Sequence, residues 1–569
     1  MLDWCLSLIC KIHPEQSNSN HPFLSTGPDL RNQLNRLIES DGTVLEATFY
    51  ASVLHLRGSS LTTQPISSNT SDSLFLWNGE IFDGILVPED CNDGQILFER
   101  LENRSDDVSV LDVMRSIEGP YAFIYYDSKD KKIWFGRDPL GRRSLMKIQE
   151  AVDQSLTTTL FVASHFDRGS ALRSVEVSAN RLSYVQVETN NALRLTEVDR
   201  LTDLMVLNRD IPNEQDRLRL VHFENLPFSP EFSKASRLLR DTLDDSVKRM
   251  VTGISSLYHK TERESRVAVL FSGGLDCTTL ALLAHSHIPP SESIDLLNVA
   301  FENTRSTSSN NHQTKRIEKD SEKSSADNYD RNTTYDVPDR QTGERSWREL
   351  IKLTPGRDWR FVRVNVRMAE YLEHKEKIIE LMRPNLTVMD LSIAAALYFA
   401  ARGIGNCHSD ERVESISPTV TYRTPARVLI SGLGADELLG GYSRHRSAFL
   451  TTSLRSNNWV RLLDELAMDL ERISTRNLGR DDRIMSWFGR EVRYPLLDRR
   501  VIDLLSGLPV HLKCDHGLGK GLGDKLLLRG LAHGLGLVES CRLPKRAIQF
   551  GARSAKLDGN SKGQVELVV

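Results

Sequence analysis

The run Val267-Ala-Val-Leu-Phe-Ser-Gly-Gly-Leu-Asp-Cys277 constrains the fold of this chain more than any other segment. Val267 to Phe271 are apolar, Ser272-Gly273-Gly274 break the run, and Thr278 to Ala284 resume it as an apolar stretch with a polar start. This pattern predicts a buried parallel strand, a tight glycine turn and a helix. A helix N-terminus presents unpaired N–H groups and partial positive charge, and two glycines let the backbone approach an anion closely. The segment therefore reads as a phosphate site. It is not the Gly-x-x-x-x-Gly-Lys-Ser/Thr loop, because no lysine follows the glycines. An ordinary glycine corner between strand and helix would look the same, and this motif alone leaves that alternative open.

A companion loop changes the balance. Arg427-Val-Leu-Ile-Ser-Gly-Leu-Gly-Ala-Asp-Glu437 is again an apolar strand entering a Ser-Gly turn and an acidic helix start, followed by Leu-Leu-Gly-Gly-Tyr442. Two such loops at the carboxyl ends of parallel strands would face one crevice, where open α/β sheets bind ligands. Asp276 and Asp436 are then candidates to share Mg2+, whose hard, oxygen-only coordination suits carboxylates plus phosphates. Taken singly, Asp436 and Glu437 could merely complement a helix dipole.

The chain has 569 residues, long for one hydrophobic core, and two domains are expected. Strand-like segments dominate the first part: Thr48–Leu56, Leu74–Phe82, Ala122–Asp127, Lys132–Arg137 and Leu160–Ser164, with a helix-like Asp93–Leu101. Beyond residues 210–230, strand and helix patterns alternate, as in a parallel sheet with helices on both faces. The expected domains are 1–215 and 230–569. The stretch 303–334 is too polar to bury enough surface and reads as a disordered insertion, and Cys407–Thr424 as a shorter one.

A net charge of −4 argues against a nucleic-acid-binding surface. The seven cysteines form no Cys-x-x-Cys pair, which argues against a disulfide scaffold or structural zinc. No apolar run reaches membrane-spanning length, and the opening residues carry Asp3 without a basic head, a poor signal peptide. A soluble, cytoplasmic protein without membrane or nucleic-acid partners is expected. Its oligomeric state is not legible.

Ser272-Gly-Gly-Leu-Asp276, Ser431-Gly-Leu-Gly-Ala-Asp-Glu437, Gly440-Gly-Tyr442, Glu491-Val-Arg-Tyr-Pro-Leu-Leu-Asp498 and Arg542-Leu-Pro-Lys-Arg546 occur in the order seen in asparagine synthetases, and the first resembles the pyrophosphate loop of ATP pyrophosphatases. Arg57, Asn78-Gly-Glu80, Asp93 and Phe135-Gly-Arg-Asp-Pro-Leu-Gly-Arg142 resemble the class II glutaminase pattern. Within this family the likeness is closest to the asparagine synthetase domain-containing group, through Leu54-His-Leu-Arg-Gly58, Phe75-Leu-Trp-Asn-Gly-Glu-Ile-Phe82 and Val337-Pro-Asp-Arg340.

The resemblance implies an N-terminal-nucleophile-type αββα sandwich followed by a parallel-sheet, adenine-nucleotide-binding α/β domain. It also implies conversion of aspartate, ATP and glutamine to asparagine, AMP, pyrophosphate and glutamate, with activity altered or reduced. Arg57 would bind the glutamine carboxylate and Asp93 its α-ammonium, with Glu80 beside them. Asn78 and Gly79 would form an oxyanion hole, although Asn-Gly is also a common two-residue hairpin turn. Ser272, Gly273, Gly274, Cys277, Ser431 and Gly432 would contact ATP, Phe271 and Val299 its adenine, and Asp276 and Asp436 Mg2+. Glu491 and Lys545 are the catalytic candidates of the synthetase half.

Two departures stand out. This glutaminase class uses a mature N-terminal cysteine, whereas residue 2 is Leu2, and neither Cys5 nor Cys10 is followed by glycine. Buried structural cysteine is the better expectation for both. Asparagine synthetases carry glutamate where Leu433 stands, and loss of that carboxylate removes a charge that aids proton transfer. Cys277 also replaces the usual serine. A degenerate synthetase that binds nucleotide or a partner protein is therefore one alternative, and an ATP pyrophosphatase adenylating another acyl or RNA substrate is a second.

Overall fold

Parity along the strands builds the first half. In β5 (Leu74–Gly79) and β6 (Tyr121–Asp127), Leu74, Leu76, Ala122, Ile124 and Tyr126 point into one core, while Phe75, Trp77, Tyr121, Phe123 and Tyr125 point into another. Side chains that alternate across a strand must bury both faces when both are apolar. The first core is shared with Ala47, Phe49 and Ala51 of β3 (Thr43–Val53) and with Leu160 and Val162 of β9 (Thr157–Ala163). The second lies against Leu97, Phe98 and Leu101 of the helix Asp93–Glu102 and Val110, Val113 and Met114 of the helix Val110–Arg115.

The computed structural model of the chain describes residues 7–14, 29–40, 43–151, 157–165, 174–188, 192–200, 207–213, 229–303, 334–408, 421–451, 455–557, 565 and 567. Cys5 and the expected insertion 303–334, apart from its ends, lie outside these residues. The remaining strands of the first sheet are β1 (Ser7–Pro14), β2 (Leu30–Ser40), β4 (Ile66–Ser67), β7 (Lys132–Arg137), β8 (Met146–Ala151), β10 (Val175–Glu176), β11 (Arg181–Glu188) and β12 (Ala192–Asp199). They pair in the order β2-β3-β1-β9-β12-β11-β7-β6-β5-β4, with β8 on β9 and β10 on β8. The antiparallel path curls so that its two halves face each other across the first core. Helices cover one outer face. Among the described residues no helix layer covers the other, so three of the four layers of the expected αββα sandwich are present. The strand β1, near the start of the chain, lies between β3 and β9.

The second sheet contains β13 (Val267–Leu270), β14 (Ile294–Phe301), β15 (Trp359–Val366), β16 (Ile404–His408), β17 (Thr421–Arg423), β18 (Val428–Ile430) and β19 (Glu491–Arg493). Its order is β17-β16-β15-β14-β13-β18-β19, parallel from β15 to β19. Every residue of β14 is buried. Asn298 faces the helix Pro338–Leu353, donating to the Asp339 carbonyl at 2.9 Å. Phe301, of opposite parity, packs edge-on against Phe399 of the helix Val388–Arg402. Helices thus cover both faces, as the apolar runs predict. The ends of the expected second insertion, Cys407–Thr424, are β16 and β17, which extend the sheet in antiparallel fashion. The order of winding reverses between β13 and β18, which is where such sheets open a crevice at the strand ends.

Candidate active site

Both Ser-Gly loops leave the sheet at that reversal and close on one cavity of about 300 Å³. Its walls include Phe271, Ser272, Gly274, Asp276, Cys277 and Val299 from one side and Ser431, Gly432, Leu433 and Asp436 from the other, with Lys545 opposite. The helix Leu275–His285 starts from Gly274 without a side-chain cap, which leaves its first N–H groups facing the loop. Gly273 (φ +75°) is needed for a different reason. A Cβ there would strike the backbone at Thr342 and Gly343. That helix, Pro338–Leu353, clamps the loop: Thr342 Oγ1 donates to the Ser272 carbonyl at 2.9 Å and Ser346 Oγ to the Gly273 carbonyl at 2.7 Å. The Val337-Pro-Asp-Arg340 motif thus starts the element that shapes the first Ser-Gly loop. Gly432 approaches the first loop so closely that a Cβ would sit 2.9 Å from Asp276 Cβ.

A residue no motif indicated joins the two aspartates. Lys525 Nζ lies 2.6 Å from Asp276 Oδ2 and 2.8 Å from Asp436 Oδ1, and Lys545 Nζ pairs with Asp436 Oδ2. Burial opposes charge on Asp436, but the two ammoniums outweigh it and hold the carboxyl well below the usual range. Burial likewise works against the charge of Lys525, and Asp276 and Asp436 together raise its pKa. The Gly440-Gly441-Tyr442 motif makes room for this arrangement. A Cβ on Gly441 would fall on the Asp436 carboxylate and on Cε of Lys525. Tyr442 Oη donates to Glu437 Oε1 at 2.6 Å, and Glu437 Oε2 accepts the Gly434 N–H at 3.1 Å. Buried Arg529 donates to the carbonyls of Cys541 (2.7 Å) and Leu543 (2.9 Å), which fixes the loop carrying Lys545. Asp339 also lines the cavity, where burial pushes its carboxyl up to about 7 against the pull of Arg546 and Lys545. Burial raises the thiol of Cys277, so it stands there as a neutral group.

Glu491 is elsewhere. It lies on β19 in the wall of a second, smaller cleft, together with Arg57, Asn78, Gly79, Glu80 and Asp93. The structure therefore parts the two residues paired as catalytic candidates: Lys545 faces the loops, and Glu491 faces the first domain. Asn78 and Gly79 are not a hairpin turn. They end β5, opposite Ala122 and Tyr121, and a Cβ on Gly79 would lie 2.6 Å from the Pro120 carbonyl. Asp93 opens its helix, accepting N–H groups of Ile81 and Gly94 at 2.9 Å each. Burial raises its pKa and Arg57 draws it back. Arg57 Nη1 donates to the Ile81 carbonyl at 2.9 Å and lies 3.6 Å from Glu80.

From this cleft a chain of buried charges crosses to the second domain. Arg493 binds Glu80 at 3.0 Å and Glu491 at 2.6 Å, and Arg143 binds Glu491 at 2.8 Å and Asp482 at 3.3 Å. Burial pushes Glu80 up to about 8 despite Arg493. For Glu491 the two arginines outweigh burial and lower its pKa. Arg142 donates to the Leu497 carbonyl at 3.0 Å, and Arg137 to that of Ser474 at 3.1 Å. The Phe135–Arg142 motif, read as part of a glutaminase, thus also carries a docking loop.

Asp276 and Asp436 offer hard oxygen donors, and Oδ1 of Asp276 is buried without a hydrogen-bond partner. Two carboxylates fit Mg2+, which keeps several waters and completes its shell with phosphate oxygens.

Residues 451–535 match the asparagine synthase family, and residues 52–167 match the glutamine amidotransferase domain. Asparagine synthetase domain-containing protein 1 of Homo sapiens is 36% identical, over 93% of this chain and 90% of its own length. Its Gallus gallus counterpart is 34% identical, over 94% and 93%. An asparagine synthetase domain-containing protein of Saccharomyces cerevisiae is 35% identical, over 91% and 86%.

Proposed function

We propose that this chain, which belongs to the asparagine synthetase domain-containing family, is an ATP-dependent ligase that adenylates a carboxylate and amidates it with glutamine nitrogen. One observation carries the reading: two Ser-Gly loops on adjacent parallel strands share a cavity with Asp276, Asp436, Lys525 and Lys545. Phe271 and Val299 would hold the adenine. The N–H groups after Ser272 and Ser431 would hold phosphate oxygens. Asp276 and Asp436 would hold Mg2+, which supplies charge neutralisation for the phosphates when bound.

A carboxylate oxygen of the substrate attacks the α-phosphorus, the bond to the β-phosphate oxygen breaks, and pyrophosphate leaves. Lys545 and Lys525 exchange aspartate for phosphate oxygens and stabilise the charge that develops there. Ammonia then attacks the acyl carbon, the bond to AMP breaks, and the attacking nitrogen gives up a proton. In the cleft of the first domain, Arg57 and Asp93 would hold glutamine, with Asn78 and Gly79 at its amide oxygen.

Leu433 narrows the acyl substrate. An apolar side chain at this wall removes the carboxylate that asparagine synthetases carry there, so aspartate-dependent pyrophosphate release by the wild type should be weak. Leu433→Glu should raise it where the rest of the aspartate pocket survives. Lys545→Ala should lower the kcat/KM for pyrophosphate release with the natural carboxylate by about 10²-fold or more. Calorimetry at millimolar Mg2+-ATP provides the decisive arm. No binding heat from the wild type would sink the nucleotide reading. Intact ATP binding with no pyrophosphate from either wild type or Leu433→Glu would favour a nucleotide-binding protein without ligase activity.

A further inference from the structure

A third cavity, of about 280 Å³, lies between the two halves and shares no wall residue with either site above. Four arginines line it: Arg115 and Arg200 from the first half, Arg499 and Arg500 from the start of the helix Arg499–Gly507. Two acids also line it, Asp83 and Glu118. Most of these charges are already matched. Glu118 takes Arg142 at 2.9 Å, Arg499 takes Asp503 at 2.7 Å, and Arg500 takes Asp245 at 2.9 Å and Asp83 at 3.5 Å.

Arg115 and Arg200 are not matched in this way. Arg115 donates through Nε to the Arg200 carbonyl at 2.9 Å and through Nη2 to the Arg200 and Asp199 carbonyls, and the carboxylate it pairs with, the exposed Asp112, stands 3.8 Å away. Arg200 is only 2% exposed. Its Nη2 donates to the Arg137 carbonyl, its guanidinium lies 5.7 Å from the Tyr121 ring centre, and its Nε is buried without a partner. No carboxylate pairs with it among the described residues. A guanidinium stays charged in any protein environment, and burying it without a counter-charge is costly. The Arg137 carbonyl, the Tyr121 hydroxyl and the Tyr121 ring face offset part of that cost without supplying a counter-charge. A cavity beside an unbalanced, buried cation is where a bound anion would supply the remainder.

The rest of the wall describes the other end of the ligand. Leu111, Met114, Ile117 and Pro139 are apolar. We propose that this cavity binds a small phosphate monoester, its dianionic head on Arg115 and Arg200, with Arg500 exchanging its longer contact to Asp83 for a phosphate oxygen, and its apolar body on that wall. Guanidiniums match phosphate oxygens in bidentate fashion, and several converging from two domains suit a dianion better than a single carboxylate. Such a ligand would tie the helix Val110–Arg115 to the helix Arg499–Gly507 and so bridge the halves.

Phenyl phosphate, with both head and body, is the probe for calorimetry on the full chain. It should bind saturably, more tightly than inorganic phosphate or benzoate. Arg115→Gln and Arg500→Gln should each weaken it about tenfold or more. Ser116→Glu, which places a carboxylate on the wall without touching an arginine, should do the same in a protein of unchanged circular dichroism. Lys545→Ala, in the nucleotide cavity, should bind it as the wild type does. Absence of saturable binding, equal binding by the arginine variants, loss in Lys545→Ala, or tighter binding of benzoate would each overturn the proposal.

Discussion

Lys525 occupies the left-handed region (φ +54°), which a lysine adopts only where the surrounding structure enforces it. Its N–H donates to the Leu439 carbonyl at 3.0 Å while its ammonium bridges the two aspartates, and removing one of these should be felt throughout the domain. Asp436→Ala leaves Lys525 buried with Asp276 alone and should cost about 3 kcal/mol in urea unfolding, near the low end for a broken buried pair. Lys545→Ala, at a more exposed position, is therefore the cleaner probe of nucleotide binding. Asp339 sets a pH dependence. Its folded pKa, pushed up to about 7, lies above the unfolded value near 4, so the folded state holds the extra proton between those limits. Stability should then fall as pH rises from about 4 through 7. Asp339→Asn should remove that fall. Ionised Asp339 also opposes phosphate, so wild-type ATP affinity relative to Asp339→Asn should drop roughly tenfold between pH 6 and 8. Calorimetry on both proteins checks the ratio. At this scale the sequence was legible where the backbone itself is the signal: Gly273 and Gly440-Gly441 mark close approaches that exclude a side chain. Lys525 was not legible, because the glycines that precede it (Gly517, Gly519, Gly521 and Gly523) mark a turn but name no ligand, and its meaning exists only beside Asp276 and Asp436.

Elements read well where one side of a strand differs from the other. Lys132–Arg137 was predicted with both ends as found, and Asp93–Leu101 falls one residue short of its helix. β2 was not anticipated. Its apolar residues Leu30, Leu34, Leu37 and Ile38 are spaced as on a helix, yet it pairs with β3 along its length. Leu37 is left exposed, so tertiary pairing has overridden the local pattern. Glu491 is a similar case. Its motif is recognisable, but only its contacts with Arg143 and Arg493 show that the side chain turns to the first domain rather than to the Ser-Gly loops. Arg493, two residues on, neutralises both Glu80 and Glu491. Arg493→Ala would leave two buried carboxylates short of a partner and should cost about 3–5 kcal/mol, read by chemical denaturation. The loss should be smaller at pH 5 than at pH 8, because Glu80, pushed up to about 8, is mostly protonated at the lower pH.

At the scale of the whole molecule, the two sheets were foreseeable from composition and pattern, but the way they join was not. Asp29 receives both Nη groups of Arg427, at 2.6 and 3.0 Å, and Ser255 N–H donates to the Leu56 carbonyl at 2.8 Å. Arg483 reaches Glu176 at 2.8 Å from the opposite direction. These contacts are separated by hundreds of residues in the chain and carry no local signature. With so many buried ionic contacts shared, urea should unfold the protein in one transition rather than two. The same single curve should appear by tryptophan fluorescence and by circular dichroism.

The docking loop has a consequence for how this protein can be taken apart or recombined. Arg137, Arg142 and Arg143 belong to the glutaminase-like half by sequence, yet Ser474, Leu497, Asp482 and Glu491 of the other half answer them. A cut in the stretch between residues 213 and 229 would respect the boundary between the sheets and still divide a shared lock from its key. Each half made alone would present half of that lock to water, and a chimaera built by exchanging the front half with a relative's would inherit whatever arginines that relative carries. Co-expressed halves should find each other and remain soluble, whereas either expressed singly should aggregate. Modularity in this chain ends where the loop after β7 begins.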